Sequence, residues 1–448
     1  MKRKIYNDLL KWKQLNGSVA LLIEGARRIG KSYIVEDFAR NEYDSYILID
    51  FSQAGTKIKR LFDEQLLDLD SLFEILEQVY HKRLIPRKSL IIFDEVQLCP
   101  RARAAIKFLV ADGRYDYIET GSLVSIQRNV KNIVIPSEER AIQMYPMDFE
   151  EFLWAMGNEV LMPFIRKHFE QGLPLGDIHR EAMDYFRRYM MVGGMPQAVE
   201  KYVQTRDMDQ VDAIKRDILS IYRNDIRKYA GRLSLKVLSI FDQIPAQLQN
   251  NEHSFCLSDL KNDARMRDYE TAFLWLCDAQ IVRCCYNTTA PNVGLKLNMN
   301  RTSLKCYMAD TGLLISHAFD EKGILSSELY KKLLMDKLEV NTGMLVENIV
   351  AQMLVASGQQ LYFYHNPDPT DSVNRMEIDF LIQKDKVTSR HNIIPIEVKS
   401  STNYTLKSLN KCIAKFGEFI TMPTVLHSAD VKYDNGIRYL PLYMTSII

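Results

Sequence analysis

The densest chemistry in the chain lies between Gly25 and Ser32, G-A-R-R-I-G-K-S, which has the spacing G-x-x-x-x-G-K-[ST]. An apolar run, Val19–Ile23, leads into it and a helical pattern follows. That context gives the spacing its meaning. Glycines let a backbone wrap a phosphate chain without Cβ clashes, and exposed N–H groups at a helix N-terminus turn positive dipole toward it. Gly25, Ala26, Arg27, Arg28, Ile29 and Gly30 are expected to form the cradle for ATP. Lys31 is expected to contact the β- and γ-phosphates, and Ser32 to place its hydroxyl on Mg²⁺. A second constellation, L-I-I-F-D-E at Leu90–Glu95, is an apolar strand ending in two carboxylates. Asp94 then serves the Mg²⁺ shell and Glu95 polarises the attacking water. A third strand, Tyr115–Glu119, runs into T-G-S, offering Thr120 or Ser122 as a polar sensor of the γ-phosphate. T-G-S is equally ordinary turn chemistry. Arg140, in S-E-E-R-A, follows that strand and is a candidate cation for the developing γ-phosphate charge, although it reads more simply as a solvated surface arginine.

These groups need a scaffold that aims them at one place. Residues 1–150 alternate apolar runs with helical patterns, the signature of a parallel α/β sheet. The runs are Val19–Ile23, Tyr46–Phe51, Leu90–Phe93 and Tyr115–Ile118. Helical spacing dominates from Phe149 to Tyr229, broken by G-G-M-P at Gly193–Pro196. The remaining chain mixes short helices with strands, including Leu361–Tyr364, Glu377–Ile382 and Ile393–Val398. A length of 448 residues fits about three domains. With 58 Lys plus Arg against 57 Asp plus Glu, no global field draws the chain toward nucleic acid or anionic membrane. The seven cysteines contain no C-x-x-C, which argues against a disulfide framework or zinc knuckle. His168, His253 and His365 have no partner at helical spacing. No apolar run approaches the roughly 20 residues of a membrane span, and the basic N-terminus has no apolar stretch behind it. A cytoplasmic protein without membrane contact is expected.

The order G-A-R-R-I-G-K-S, F-D-E-V-Q, E-T-G-S, Y-P-M-D-F-E-E-F, G-G-M-P-Q-A, A-D-T-G-L, G-M-L-V-E-N, E-I-D-F and I-E-V-K-S resembles a bacterial and archaeal family. Its members are AAA-type ATPases carrying a C-terminal domain of unknown function with a restriction-endonuclease-like fold. The resemblance spans residues 4 to 420 or so. It implies a P-loop AAA-type parallel-sheet core at 1–155, a lid-like helical segment at 156–240, a winged-helix-like module at 241–330 and a restriction-endonuclease-like α/β domain at 331–448. The family often has Gly-Arg after the sensor strand, where this chain has Glu139-Arg140.

Residues 257–283 read as helix, turn, helix, with Leu274, Cys277 and Ile281 on one face and a following β pair as the wing. Lys261, Arg265 and Arg267 could meet a phosphate backbone, but Asp259, Asp263, Asp268 and Glu270 interleave with them. Further on, Asp379 and Glu397 end neighbouring strand candidates joined by the polar hairpin Q-K-D-K-V-T-S-R-H. Strand alternation puts Glu397 and Lys399 on one face. Asp379 and Glu397 can therefore share Mg²⁺ or Mn²⁺, with Lys399 beside a metal-bound water or the scissile phosphate. Glu347, on the preceding helix, matches the helical acid of the family. Glu347, Asp379, Glu397 and Lys399 together fit the D…E-x-K pattern of restriction-like nucleases.

The expected function is an ATPase that hydrolyses ATP with Mg²⁺ and couples it to winged-helix and nuclease-like domains acting on DNA or RNA. The alternative is an ATP-dependent regulatory switch that binds a protein partner and has a catalytically silent end domain. A nuclease merely gated by ATP is a third reading. AAA analogy alone points to a homo-oligomer.

Overall fold

The computed structural model describes residues 1–64, 68–123, 136–250, 253–319, 342–367, 370, 374–384, 389–401 and 403–448. The chain divides into two compact units, Met1–Pro146 with Asp278–Gln280, and Met147–Cys277 with Ile281–Ile448. The segments expected as lid, winged-helix module and C-terminal domain fall in the second, apart from Asp278–Gln280 of the expected winged-helix module. The expected boundary near 330 and the centre of the hairpin at 385–388 lie outside the described residues.

In the first unit β1 (Ala20–Glu24), β2 (Ser45–Asp50), β3 (Ser89–Asp94), β4 (Asp116–Gly121) and β5 (Glu139–Gln143) form a parallel sheet in the order β2-β3-β4-β1-β5. Every residue of β3 and β4 is buried, as central strands covered on both faces must be. Register places Glu24 beside Gly121, and Phe93 beside Glu119. The carboxyl ends of β1, β3 and β4 therefore share one edge, where ligands of open α/β sheets bind. Phe51, Phe62 and Phe93 pack as a ring cluster with centroids 5.3 to 5.8 Å apart. The same unit buries charge. Arg103 donates through Nε and Nη2 to Glu139 at 3.0 and 2.8 Å, with both side chains nearly inaccessible. Glu119, fully buried nearby, has its carboxyl pushed well above the usual range by burial and by Glu139.

In the second unit β6 (Val282–Thr288), β7 (Met299–Met308), β8 (Tyr362–Asn366), β9 (Met376–Gln383), β10 (Ile393–Val398), β11 (Thr424–His427), β12 (Lys432–Asp434) and β13 (Ile437–Pro441) form a single mixed sheet. Its order is β12-β13-β11-β10-β9-β8-β6-β7. The β pair expected as a wing, β6 and β7, is thus continuous with the C-terminal strands, through Tyr286 beside Tyr362 and Asn287 beside Phe363.

The face expected from Leu274, Cys277 and Ile281 is corrected. The helix Met266–Asp278 buries Tyr269, Ala272, Phe273 and Leu276, while Leu274 is 44% exposed. Gln280 takes a left-handed φ of 58°, which breaks the helical phase before Ile281.

Asp310, buried, caps the helix Thr311–Ala318 by accepting from Leu313 N at 2.9 Å and also accepts from Gly194 N at 2.5 Å. A Cβ on Gly194 would sit 2.2 Å from the Met147 carbonyl oxygen, and one on Gly312 2.5 Å from that of Val192. G-G-M-P and A-D-T-G-L are therefore the two sides of one close backbone approach.

Replacing Arg103 by Met removes the partner of a buried carboxylate, and breaking such a pair costs about 3–5 kcal/mol. A fall of that size in urea-unfolding stability is expected. An unchanged unfolding midpoint would mean that Glu139 finds water.

Candidate functional site

Gly25 leaves β1 directly, and its lack of a Cβ is enforced by neighbours. An added Cβ would lie 2.3 Å from Ile29 Cδ1 and 2.5 Å from the Met144 carbonyl oxygen. Ile29 is fully buried and pins the loop, whereas Arg27 and Arg28 are exposed. Arg28 and Gly30 take left-handed φ values of 71° and 89°, turning the chain into the helix Lys31–Glu42. Arg3 braces the turn from outside, donating to the carbonyls of Ile29 and Tyr145 at 2.9 and 2.7 Å.

Lys31 is buried, and its Nζ donates to the carbonyls of Gly25 and Ala26 at 2.9 Å each. Burial lowers its pKa to about 8, against the opposing pull of Glu95 and Asp94. Ser32 Oγ donates to Asp94 Oδ1 at 2.8 Å, and Thr120 Oγ1 donates to the same oxygen. Burial raises the Asp94 carboxyl despite those two hydroxyls. Glu95 stands in a left-handed conformation, φ 53°, with Oε2 accepting from Gln97 Nε2 at 2.5 Å and from Ser122 Oγ at 3.3 Å. Strain of that kind in a non-glycine residue persists only where surroundings fix it.

The sensor question therefore resolves into two contacts, Thr120 on Asp94 and Ser122 on Glu95. Gln97, which lies in F-D-E-V-Q, was not singled out by spacing. Arg140 is exposed on β5. Glu139 beside it serves Arg103, which accounts for an acid at that position. Mg²⁺ fits here, because Asp94 is a buried carboxylate that takes hydroxyl donors on Oδ1, one of them the expected co-ligand Ser32.

The second unit gathers Glu347, Asp379, Glu397 and Lys399 into one cluster. Glu347 comes from the helix Thr342–Ala356, Asp379 from β9, Glu397 from β10 and Lys399 from the residue after it. Asp379 Oδ2 accepts from Val398 N at 2.7 Å, and Glu397 Oε2 accepts from Lys399 Nζ at 2.6 Å. Glu397 is 4% exposed, and its Oε1 has no hydrogen-bond partner among the described residues. Burial raises the carboxyls of both Asp379 and Glu397. The Glu397 charge raises Asp379 further, while Lys399 tempers the rise at Glu397.

Spacing did not reveal Lys305 or Glu377. Lys305, on β7, lies 2.9 Å from Glu377 Oε1 and 3.6 Å from Glu347 Oε2. Tyr307 donates to Glu347 Oε2 at 3.0 Å. Burial alone would raise Glu377 and lower Lys305, but Lys305 and His253 bring Glu377 down, and Glu347, Glu377 and Asp379 bring Lys305 up. His253 meets Glu377 through Nδ1 and stacks on His365 at 4.1 Å between centroids, so histidines remote in sequence are adjacent in space.

Among the described residues no three His, Cys, Asp or Glu side chains are placed to hold one metal ion. The orphaned Glu397 oxygen beside Asp379 fits a divalent cation with two carboxylate ligands, and Glu347 does not join them. Lys261, Arg265 and Arg267 are exposed, as are Asp259, Asp263 and Asp268 between them. No helix among the described residues is long and apolar enough to cross a membrane.

Residues 18–153 match a family model described as an AAA domain. Residues 183–322 and 342–444 match two models described as domains of unknown function, DUF8612 and DUF4143. No curated protein matches the chain in sequence. Among solved structures, the Walker-type ATPase PABY2304 of Pyrococcus abyssi is similar at 14% identity over 70% of this chain and 95% of its own, with a TM-score of 0.42. AMPPCP-bound DnaA from Aquifex aeolicus is similar at 12% identity over 75% and 93%, with a TM-score of 0.27. Drosophila ORC bound to AT-rich DNA and Cdc6 is similar at 12% identity over 71% and 91%, with a TM-score of 0.22. The chain carries an AAA-type ATPase domain in residues 18–153.

Lys31→Ala should weaken ATP binding about a hundredfold, the equivalent of about 3 kcal/mol for a lost charged contact. In the parent protein a Lys31 pKa of about 8 means that binding above that pH must take up a proton. ATP affinity should then fall by up to about tenfold per pH unit above 8, and stay level below it. Calorimetry in buffers of different ionisation enthalpy reads the proton directly. Equal heats in all buffers at pH 9 would rule the coupling out.

Proposed function

We propose that the protein hydrolyses ATP with Mg²⁺ and uses the cycle to control a nuclease-like unit that engages the phosphates of DNA or RNA. The observation that carries the ATPase half is Glu95, strained, at the end of β3 and held by Gln97 and Ser122. In this reading Lys31 leaves the Gly25 and Ala26 carbonyls and meets the β- and γ-phosphates. Glu95 accepts the proton of the water that attacks the γ-phosphorus, and ADP departs. Ser32 and Asp94 would hold Mg²⁺, which would offset the phosphate charge. Ser122 and Gln97 hold the Glu95 carboxylate in place while a hydrolysable nucleotide is bound.

In the second unit, residues 241–330 are read as a winged-helix-like module and 331–448 as a restriction-endonuclease-like domain. The orphaned Glu397 Oε1 beside Asp379 supports a phosphate-directed cation site there. Mg²⁺ or Mn²⁺ at that place would polarise a phosphodiester. Lys399 would then contact the phosphate or hold the water.

A second reading, the regulatory switch with a protein partner and a silent end domain, is favoured by one observation: Lys305 already neutralises Glu347 and Glu377. Nicking assays separate the two.

Glu95→Gln should retain ATP binding and lose about 10²–10⁴-fold in turnover, the usual worth of a general base. Turnover equal to the parent would remove Glu95 from that role. DNA or RNA should raise the parent's turnover, and a flat response to both would favour the protein-partner reading.

Asp379→Asn should abolish stabilisation by Mn²⁺, which at a hundredfold excess over Kd amounts to about 2.7 kcal/mol in the parent. It should leave ATP turnover intact. Metal-dependent nicking should vanish in Asp379→Asn and Lys399→Ala. A parent that neither cuts nucleic acid nor shifts its melting with Mn²⁺ has a scaffold in place of a nuclease.

A further inference from the structure

The carboxylate cluster of the second unit contains a cation of its own. Lys305 is 7% exposed, and its ammonium stands 5.5 Å from the centroid of the Phe363 ring. Its charge is met by Glu377 at 2.9 Å and Glu347 at 3.6 Å. Glu377 is engaged on both of its oxygens, and Glu347 takes two partners on Oε2. Glu377 Oε2 takes the His253 ring, and Glu347 Oε2 takes the Tyr307 hydroxyl at 3.0 Å. Glu397 differs, because its buried Oε1 has no hydrogen-bond partner among the described residues.

Access does not separate the two halves. A small recess of about 20 Å³, room for one water-sized ion and lined by Gln247, Ser254, Phe255, Lys305 and Glu347 among others, reaches the lysine half. Charge is what closes it. A divalent ion entering there would have to displace an ammonium from its two nearest carboxylates and leave it buried with Asp379 alone to offset its charge. A buried charge so poorly paired is among the most expensive states a protein can adopt. Lys305 also has little room to retreat, since its strand is locked against β6 with Lys305 opposite Cys285.

We propose that Lys305 is the resident cation of the Glu347–Glu377 half of the cluster and closes that half to divalent metal, leaving Asp379 and Glu397 as the carboxylates of this cluster open to an ion. The last clause rests on the metal reading given under Proposed function; the role of Lys305 does not.

The test counts Mn²⁺ bound to the nucleotide-free full-length chain by equilibrium dialysis, with free ion read by electron paramagnetic resonance. Lys305→Met should bind one ion more than the parent, Lys305→Arg should match the parent, and adding Glu377→Gln to Lys305→Met should remove the gained ion. Identical counts in parent and Lys305→Met overturn the proposal. A parent that binds none while Lys305→Met binds one upholds it and instead defeats the metal reading of Asp379 and Glu397. Where the parent does bind Mn²⁺, Glu347→Gln and Glu377→Gln alone should leave its affinity within twofold, and a tenfold loss in either overturns the proposal. If Lys305→Met is insoluble, refolding decides: recovery with Mn²⁺ but not with sodium chloride supports the resident-cation role, and no recovery overturns it.

Discussion

A carboxylate taken out of water must be given a proton, a donor or a cation, and this protein answers that demand differently at each place. Glu139 receives a fixed guanidinium from Arg103. Asp310 receives backbone N–H groups from Leu313 and Gly194, which bind two segments of chain together. Asp94 receives hydroxyls on Oδ1, from Ser32 and Thr120. Glu397 receives Lys399 on one oxygen and, among the described residues, no hydrogen bond on the other. The type of partner sorts structure from chemistry. An acid with both oxygens taken by a guanidinium or by backbone, as Glu139 and Asp310 are, holds the fold, and an acid supplied with hydroxyls or half-supplied can still accept a metal.

The parts of the fold and site that were legible in the sequence are those written in consecutive residues. Gly25–Ser32 and Leu90–Glu95 each set out strand, turn and functional groups in a single run, and the parallel sheet follows from the alternation around them. Thr120 and Ser122 could not be separated by sequence, because both follow the same strand and differ only in which acid they touch. Lys305, Glu377 and the stacked pair His253 and His365 were not legible for another reason. They meet only when β9, β8, β6 and β7 are laid side by side, and no spacing along the chain encodes that register. The misread face around Leu274 has a local cause, a single left-handed residue at Gln280 that helical periodicity cannot anticipate.

Family-like motifs also differ in what they pay back. G-A-R-R-I-G-K-S and F-D-E-V-Q describe a reacting site. G-G-M-P and A-D-T-G-L describe a place where two backbones come so close that a side-chain carbon at Gly194 or Gly312 would collide with a carbonyl. A motif of the second kind is as invariant to physics as one of the first, yet it says nothing of substrate.

The pairing of β6 with β8 has a practical meaning for dissection of the protein. A fragment started at the sequence-derived limit of residue 331 would carry β8 to β13 but neither β6 nor β7. Its β8 edge, with Phe363 and Tyr364, would face solvent with unpaired backbone groups, the kind of edge on which chains stick to one another. It would also lack Lys305, so Glu347 and Glu377 would face each other without their ammonium. Insolubility or altered ion binding in such a fragment would report on the missing hairpin, and the natural cut for a separable piece lies upstream of β6.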